Sequence, residues 1–261
     1  MHCKDTILRT QNNWPYSKLI PNSGSDYMEG AHPLILECLM QTNMEKTPGY
    51  GTDHYCAEAR EKIRLACGCP EASVHFLVGG TQTNATVITS MLRPYEGVIV
   101  AESGHINQHE AGAVEAGGHK VLGLPHHNGK LCPAEVDKHI TEFYAGPSWD
   151  HMAAPGMVKQ FDTIVKQRGV LLAKGRLLGL QFDTLFTDDL YIRIARHAID
   201  MADRIVRALR EKGYKFLIEP KTNQLFVIME NKHLEELSKT IGVEVWEKVD
   251  EEHTAVRIAT S

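Results

Sequence analysis

The run Val74-His75-Phe76-Leu77-Val78, followed by Gly79-Gly80-Thr81-Gln82-Thr83-Asn84, constrains this chain more than any other stretch. Five mostly apolar, β-favouring residues read as a buried strand, and the glycine pair closes it in a tight turn. Thr81 then stands at an N-cap position ahead of a helix carrying Ala85, Val87, Ile88, Met91 and Leu92. A strand, a glycine turn and a helix N-terminus leave several backbone N–H groups converging on one spot at the positive end of a dipole. Such a spot can hold a phosphate. The same turn also serves any α/β domain that binds nothing, so the motif by itself leaves both readings open.

Further along the chain the pattern continues. Val98–Ala101 is a short apolar strand, Gln108 to Ala116 a helix and Lys120–Leu124 a further strand. Asn128-Gly129 makes a turn and Pro133 opens a helix to about Ile140. Upstream, Pro33 opens a helix, and Asp53 caps another with Tyr55, Ala59, Ile63 and Ala66 on one stripe. Strands alternating with helices predict an α/β large domain with a mostly parallel sheet. After Val158 the rhythm changes. Lys159 to Phe186 reads as helical, and Asp188 or Asp189 caps a long helix with Leu190, Ile194, Ala198, Met201, Ile205 and Leu209 on one face. Strands at 216–218, 225–229, 243–246 and 255–259, with a helix at 233–241, make a small C-terminal α+β domain. The domain reading is therefore an N-terminal arm over 1–33, a large domain over 34–187 and a small domain over 188–261.

Composition narrows the function. The formal charge of -5 comes without any basic block, which argues against nucleic acid as the partner. No apolar run approaches a membrane span, and the N-terminus lacks a signal-peptide core. The six cysteines are irregularly spaced. Cys67-Gly68-Cys69 is too close for a zinc half-site and has no second half, so no metal is expected. Free thiols in a cytoplasmic protein are the expectation.

The second candidate for chemistry is His105, delivered with Glu102-Ser103-Gly104 at the C-terminal end of the strand at 98–101. Ligands of open α/β sheets bind at that edge, which brings Thr81 and His105 near each other. An imidazole there can act as a base, pair with a phosphate or stack on a ring, or simply hydrogen-bond its own loop.

The run Ala101-Glu102-Ser103-Gly104-His105-Ile106, with His109-Glu110-Ala111-Gly112-Ala113 and Glu115-Ala116-Gly117-Gly118, resembles the threonine aldolase and β-eliminating lyase family, pyridoxal-phosphate enzymes of fold type I. Gly79 to Asn84 resembles that family's phosphate-binding turn, and Asn22 to Tyr27 with Glu29 to Pro33 its N-terminal arm. Gly49 to Asp53 resembles the loop sent toward a neighbouring subunit's cofactor, and Lys166 to Gly179 the helix joining two domains. The resemblance implies a pyridoxal 5'-phosphate-dependent lyase that cleaves a small β-hydroxy amino acid, working as a homodimer or homotetramer. It implies that Gly80 and Thr81 hold the phosphate, that His105 lies over the pyridine ring and assists proton transfer, and that Tyr50 reaches the partner's phosphate. Ser25 and Arg257 would take the substrate carboxylate. A guanidinium suits that task, although Arg257 also fits an ordinary edge-strand position.

Two groups required by such chemistry are missing. The lysine that bonds the cofactor and the carboxylate that pairs with its ring nitrogen lie, in the family, in Gly-Thr-Lys-like and Asp-Gly-Ala-Arg-like segments. Neither segment occurs here. Val158 is followed directly by Lys159-Gln160-Phe161, so several strand–helix units are read as absent between 158 and 159, and the small domain as truncated after Arg257. Lys159, Lys166, Lys174, Asp150 and Asp162 are poor substitutes. A complete enzyme lacking a segment only in this sequence, and an internally deleted remnant that binds without turnover, both remain open. A nucleotide site is the weaker alternative, since the turn has neither the G-x-G-x-x-G spacing nor a following Gly-Lys-Ser.

Overall fold

The computed structural model describes residues 23–145 and 161–261. The junction read between Val158 and Lys159 lies outside the described residues, as does Asp150. In chain order the elements are α1 (Pro33–Gln41), α2 (His54–Cys67), α3 (Gly80–Met91), β1 (Val98–Ala101), α4 (His105–Gln108), β2 (Val121–Leu124), α5 (Pro133–Ala145), α6 (Phe161–Gln167) and α7 (Arg176–Leu185). The remainder are α8 (Leu190–Glu211), β3 (Lys215–Phe216), β4 (Gln224–Glu230), α9 (Asn231–Leu237), β5 (Glu244–Lys248) and β6 (His253–Ala259). The chain divides into two compact units, Glu45–Asp183 and Thr184–Ser261 together with Met1–Met44.

In the unit of Glu45–Asp183, β1 and β2 pair in parallel, with Val98 opposite Val121 and Ala101 opposite Leu124. These are the strands the sequence predicts. The stretch 74–78 is different. It runs without a ladder among the described residues, and Val78 is 53% exposed. The buried strand expected there is not formed: an extended segment becomes a strand only beside a partner, and the Val74 carbonyl is taken by Arg60 Nε at 3.0 Å instead. The turn after it also shifts. Gly79, not Thr81, is the N-cap residue, and Thr83 Oγ1 donates to the Gly79 carbonyl at 2.7 Å to close the first turn. The helix expected over 108–116 stops at Gln108, because Ala111 and Gly112 both take positive φ. The long helix expected from 159 to 186 is broken at Gly169, whose φ is +69°.

Gly179 on α7 and Gly175 just before it set how closely this stretch approaches α2 and the loop leading into it. A Cβ at Gly179 would lie 2.4 Å from Cys56 Sγ and 2.6 Å from the Cys56 amide nitrogen, and one at Gly175 only 2.2 Å from the Gly51 nitrogen. Cys56 is fully buried there, its thiol donating to the Gly175 carbonyl at 3.3 Å. Asp53 caps α2 as the sequence predicts, accepting from the Cys56 N–H at 3.0 Å. Burial above all, with the Asp53 carboxylate beside it, pushes the Cys56 thiol up to about 12.

The other unit is built on an antiparallel sheet of order β3-β4-β6-β5. Strand β4 alternates in burial, with Leu225, Val227 and Met229 inward. They join Val256 and Ile258 of β6 and Ala202 and Val206 of α8 in one core. The α8 face is the predicted one, centred one residue further on: Ala198, Ala202 and Val206 are buried, flanked by half-buried Ile194, Met201, Ile205 and Leu209. Asp189 is the N-cap residue of α8, but its side chain makes no cap bond. None of the described helices is long and apolar enough to cross a membrane.

Two outcomes test this packing. Gly179→Ala, which drives a methyl into backbone atoms of α2, costs about 3 kcal/mol in urea unfolding, whereas Gly30→Ala, with nothing within 4 Å, costs close to nothing. In the native protein iodoacetamide labels the exposed Cys67 and Cys69 and spares Cys56, which reacts only after denaturation; mass spectrometry of the digest reads the difference.

Candidate active site

At the start of α3 the N–H groups of Gly80, Thr81 and Gln82 have no carbonyl one turn back to accept them. Gly80 and Thr81 are both exposed, and a Cβ at Gly79 or Gly80 would meet nothing within 4 Å. Three open donors, the Thr81 hydroxyl and the positive helix end form an anion cradle.

A second glycine builds the neighbouring corner. At Gly104 a Cβ would sit 2.3 Å from Val100 Cγ2 and 2.9 Å from the Ala101 carbonyl, so only glycine lets the chain turn straight off β1 into α4. The Gly104 N–H donates to Ala101 at 2.7 Å, and His105 becomes the first residue of α4. His105 is therefore presented at the C-terminal end of β1, with its side chain 65% exposed.

Glu110 links the two corners. Its side chain is fully buried, and its Oε1 lies 2.7 Å from His105 Nδ1 and accepts from Asn84 Nδ2 at 2.6 Å. Asn84 lies one turn into α3, so one carboxylate oxygen holds α3 and α4 side chains together. Glu110 Oε2 has no partner among the described residues. The His109 ring stands 5.4 Å from that of His105, tilted by 55°. At the end of the adjacent strand β2, His126 Nδ1 accepts from the Gly129 N–H at 3.0 Å, across the turn where Asn128 and Gly129 both have positive φ. The predicted Asn-Gly turn is thus present, and His126 shares the C-terminal edge of the parallel pair with His105.

Asn84, one turn past Gly80 and Thr81 on α3, and His105 on α4 share the Glu110 carboxylate. Tyr50 belongs to the same unit but is engaged otherwise: its φ is +59°, its N–H donates to Ala173 at 2.9 Å, and the Lys166 ammonium lies 3.9 Å from its ring centre. Lys174 is exposed. Ser25 and Arg257 lie in the sheet-bearing unit. Ser25 is buried, and Arg257 Nε donates to the carbonyl of its neighbour Gly24 at 3.0 Å. Arg257 stands opposite Glu244 in the β5–β6 ladder and pairs with its carboxylate. A register shift between Val245 and Glu247 leaves Trp246 in a bulge, where its ring meets Phe226 edge-on at 4.8 Å and takes the Arg257 guanidinium 5.8 Å from its centre. Arg257 is no ordinary edge residue: it lies on a central strand and its side chain is 13% exposed.

Sequence reasoning did not single out Glu110, Asn84, His126 or Glu244. Each had a signal in hand. Asn84 is one turn from the glycine pair, Glu110 is five residues beyond His105, and His126 comes just after a strand at the binding edge. For Asn84, Glu110 and Glu244 what counts is a contact between elements, which spacing does not carry; His126 counts by its place at the strand edge.

Comparison with known proteins adds to this geometry. The family model "Beta-eliminating lyase" matches residues 25–148. A low specificity L-threonine aldolase from a Pseudomonas species is 30% identical over 114 residues, which are 43% of this chain and 33% of that protein. Its counterpart from Pseudomonas aeruginosa is 29% identical over a stretch of the same length. The match thus spans about a third of these relatives' length. Among solved structures, a Leishmania major threonine aldolase superimposes with a TM-score of 0.84 at 28% identity, covering 92% of this chain and 94% of that one. A Thermotoga maritima aspartate aminotransferase gives 0.59 at 13% identity, a likeness of fold alone. Nearly half of the chain is thus similar to the β-eliminating lyase family model, and almost all of it shares the fold of a threonine aldolase, that of type I pyridoxal-phosphate enzymes.

Proposed function

We propose that this protein is a pyridoxal-phosphate-dependent lyase that cleaves the Cα–Cβ bond of a small β-hydroxy amino acid, threonine or its allo form. The observation that carries the reading is the row of open N–H groups at Gly80, Thr81 and Gln82, tied through Asn84 and Glu110 to an exposed imidazole at His105. A Cβ at Gly79 or Gly80 would meet nothing within 4 Å, which leaves the donors open to a phosphate. The cofactor, when bound, supplies an electron sink for the charge left on Cα. The protein's own groups do the rest. Gly80 and Thr81 would hold the phosphate, and His105 would stand at the ring side of the site with Nε2 free to take up a proton. Arg257 receives the substrate carboxylate through the part of its guanidinium that Glu244 and Gly24 leave free, beside Ser25. Tyr50 serves a second copy's phosphate in a homodimer or homotetramer.

One observation favours a second reading, a cofactor-binding protein without turnover. No Gly-Thr-Lys-like or Asp-Gly-Ala-Arg-like segment occurs in the sequence, and Lys166 is occupied on Tyr50. Pyridoxal phosphate titrated into the full chain gives a saturable spectral change that inorganic phosphate competes away, and Thr81→Ala weakens it about tenfold. No saturable binding removes both readings. Borohydride then separates them: a lysine adduct by mass spectrometry, with acetaldehyde released from threonine, marks the lyase, and binding with no adduct marks the silent form.

The carboxylate role has its own check. Arg257→Lys weakens glycine binding to the cofactor-loaded protein about tenfold, because an ammonium cannot make the forked contact. Unchanged glycine affinity excludes Arg257 as the receptor.

A further inference from the structure

We propose that Glu110 is a positioning residue for His105: it holds the imidazole in the tautomer with hydrogen on Nδ1, so that Nε2 is left as the outward, proton-accepting nitrogen. The inference assigns a role within the site read above as the cofactor edge, but its physical basis does not depend on the cofactor. A carboxylate offers only acceptors. Its Oε1, 2.7 Å from His105 Nδ1, already accepts from Asn84 Nδ2 at 2.6 Å, so Nδ1 must bring the hydrogen. The Glu110 side chain is fully buried while that of His105 is 65% exposed, which puts the fixed end of the bond inside the protein and the free nitrogen in solvent. Among the described residues nothing pairs with Nε2.

An imidazole in water ordinarily favours hydrogen on Nε2, so this arrangement reverses the default. The reversal decides which job the ring can do. With hydrogen on Nε2, the exposed nitrogen could only donate to a substrate oxygen. With hydrogen on Nδ1, it accepts a hydroxyl proton and the charge that results is met by the Glu110 carboxylate behind it. Gly104 supports the same geometry from the backbone, since only a residue without a Cβ clears Val100 and the Ala101 carbonyl where His105 opens α4.

Nitrogen NMR of the full chain labelled in its histidine rings, without cofactor and at a pH where imidazoles are neutral, reads the tautomer directly. His105→Gln identifies the His105 signals by their loss. The expected result is a protonated-type signal at Nδ1 and an unprotonated-type signal at Nε2, in contrast to exposed histidines such as His127. Glu110→Met, similar in length and without an oxygen, shifts His105 to the ordinary Nε2–H form while the other rings keep theirs. Hydrogen predominantly on Nε2 in the unaltered protein overturns the proposal, and needs no variant to fold. So does an unchanged tautomer in a folded Glu110→Met protein. A chain that shows the Nδ1–H form yet binds no pyridoxal phosphate upholds this role for Glu110 and removes the cofactor reading instead.

Discussion

One buried carboxylate organises the chemistry of this molecule. Glu110 sits in the irregular loop after α4, has no exposed surface on its side chain, and makes its bonds to Asn84 on α3 and His105 on α4. Burying a charge without partners is expensive, so the loop is held where those two donors can reach it. The same bonds keep the anion cradle at the start of α3 beside the imidazole at the end of β1. The unpartnered Oε2 marks the site as a place where polar pairing is incomplete among the described residues. Such incompleteness is commoner at functional edges than in ordinary cores.

Close backbone approach is the second constraint. Gly175 and Gly179 let α7 lie against the N-terminus of α2, with the Cys56 thiol enclosed and kept protonated. Gly104 does the equivalent at the exit of β1. At each of these places the glycine supplies space rather than an unusual φ. In the other unit the organising contact is across strands. Phe226, Arg257 and Glu244 stand in register on β4, β6 and β5, and the bulge at Trp246 brings an indole onto the same cluster. Arg257 is thus held by a carboxylate of its own chain.

Much of this was legible from residue order. Local chemistry marks the caps and turns: Pro33 at the start of α1, Asp53 before α2, and Asn128-Gly129 after β2 all form as their side chains and backbone preferences dictate. Long-period patterns fared well too, since the inward face of α8 and the alternation of β4 come from burial on one side. The misreadings share a cause. The stretch 74–78 has every local preference of a strand and lacks a partner among the described residues, and the helix read through 159–186 is broken by a left-handed glycine at 169. Pairing and helix breaks of this kind depend on what lies alongside, not on neighbours in sequence.

Residue order alone carries the alternation of elements, the glycine turn that opens α3, the arrival of His105 at a strand's end and the resemblance of those blocks to a known family. These rest on propensity, period and spacing, which act within a few residues. The tertiary structure decided which groups the site residues touch. It buried Glu110 of the following loop against His105 and Asn84 together, set Lys166 on Tyr50, and placed Glu244 on Arg257. Hydrogen bonds and ion pairs depend on distances in space, which neighbouring and distant residues alike acquire only once the elements pack. Those distances are set by packing, through a glycine's missing methyl or a buried carboxylate's need for donors.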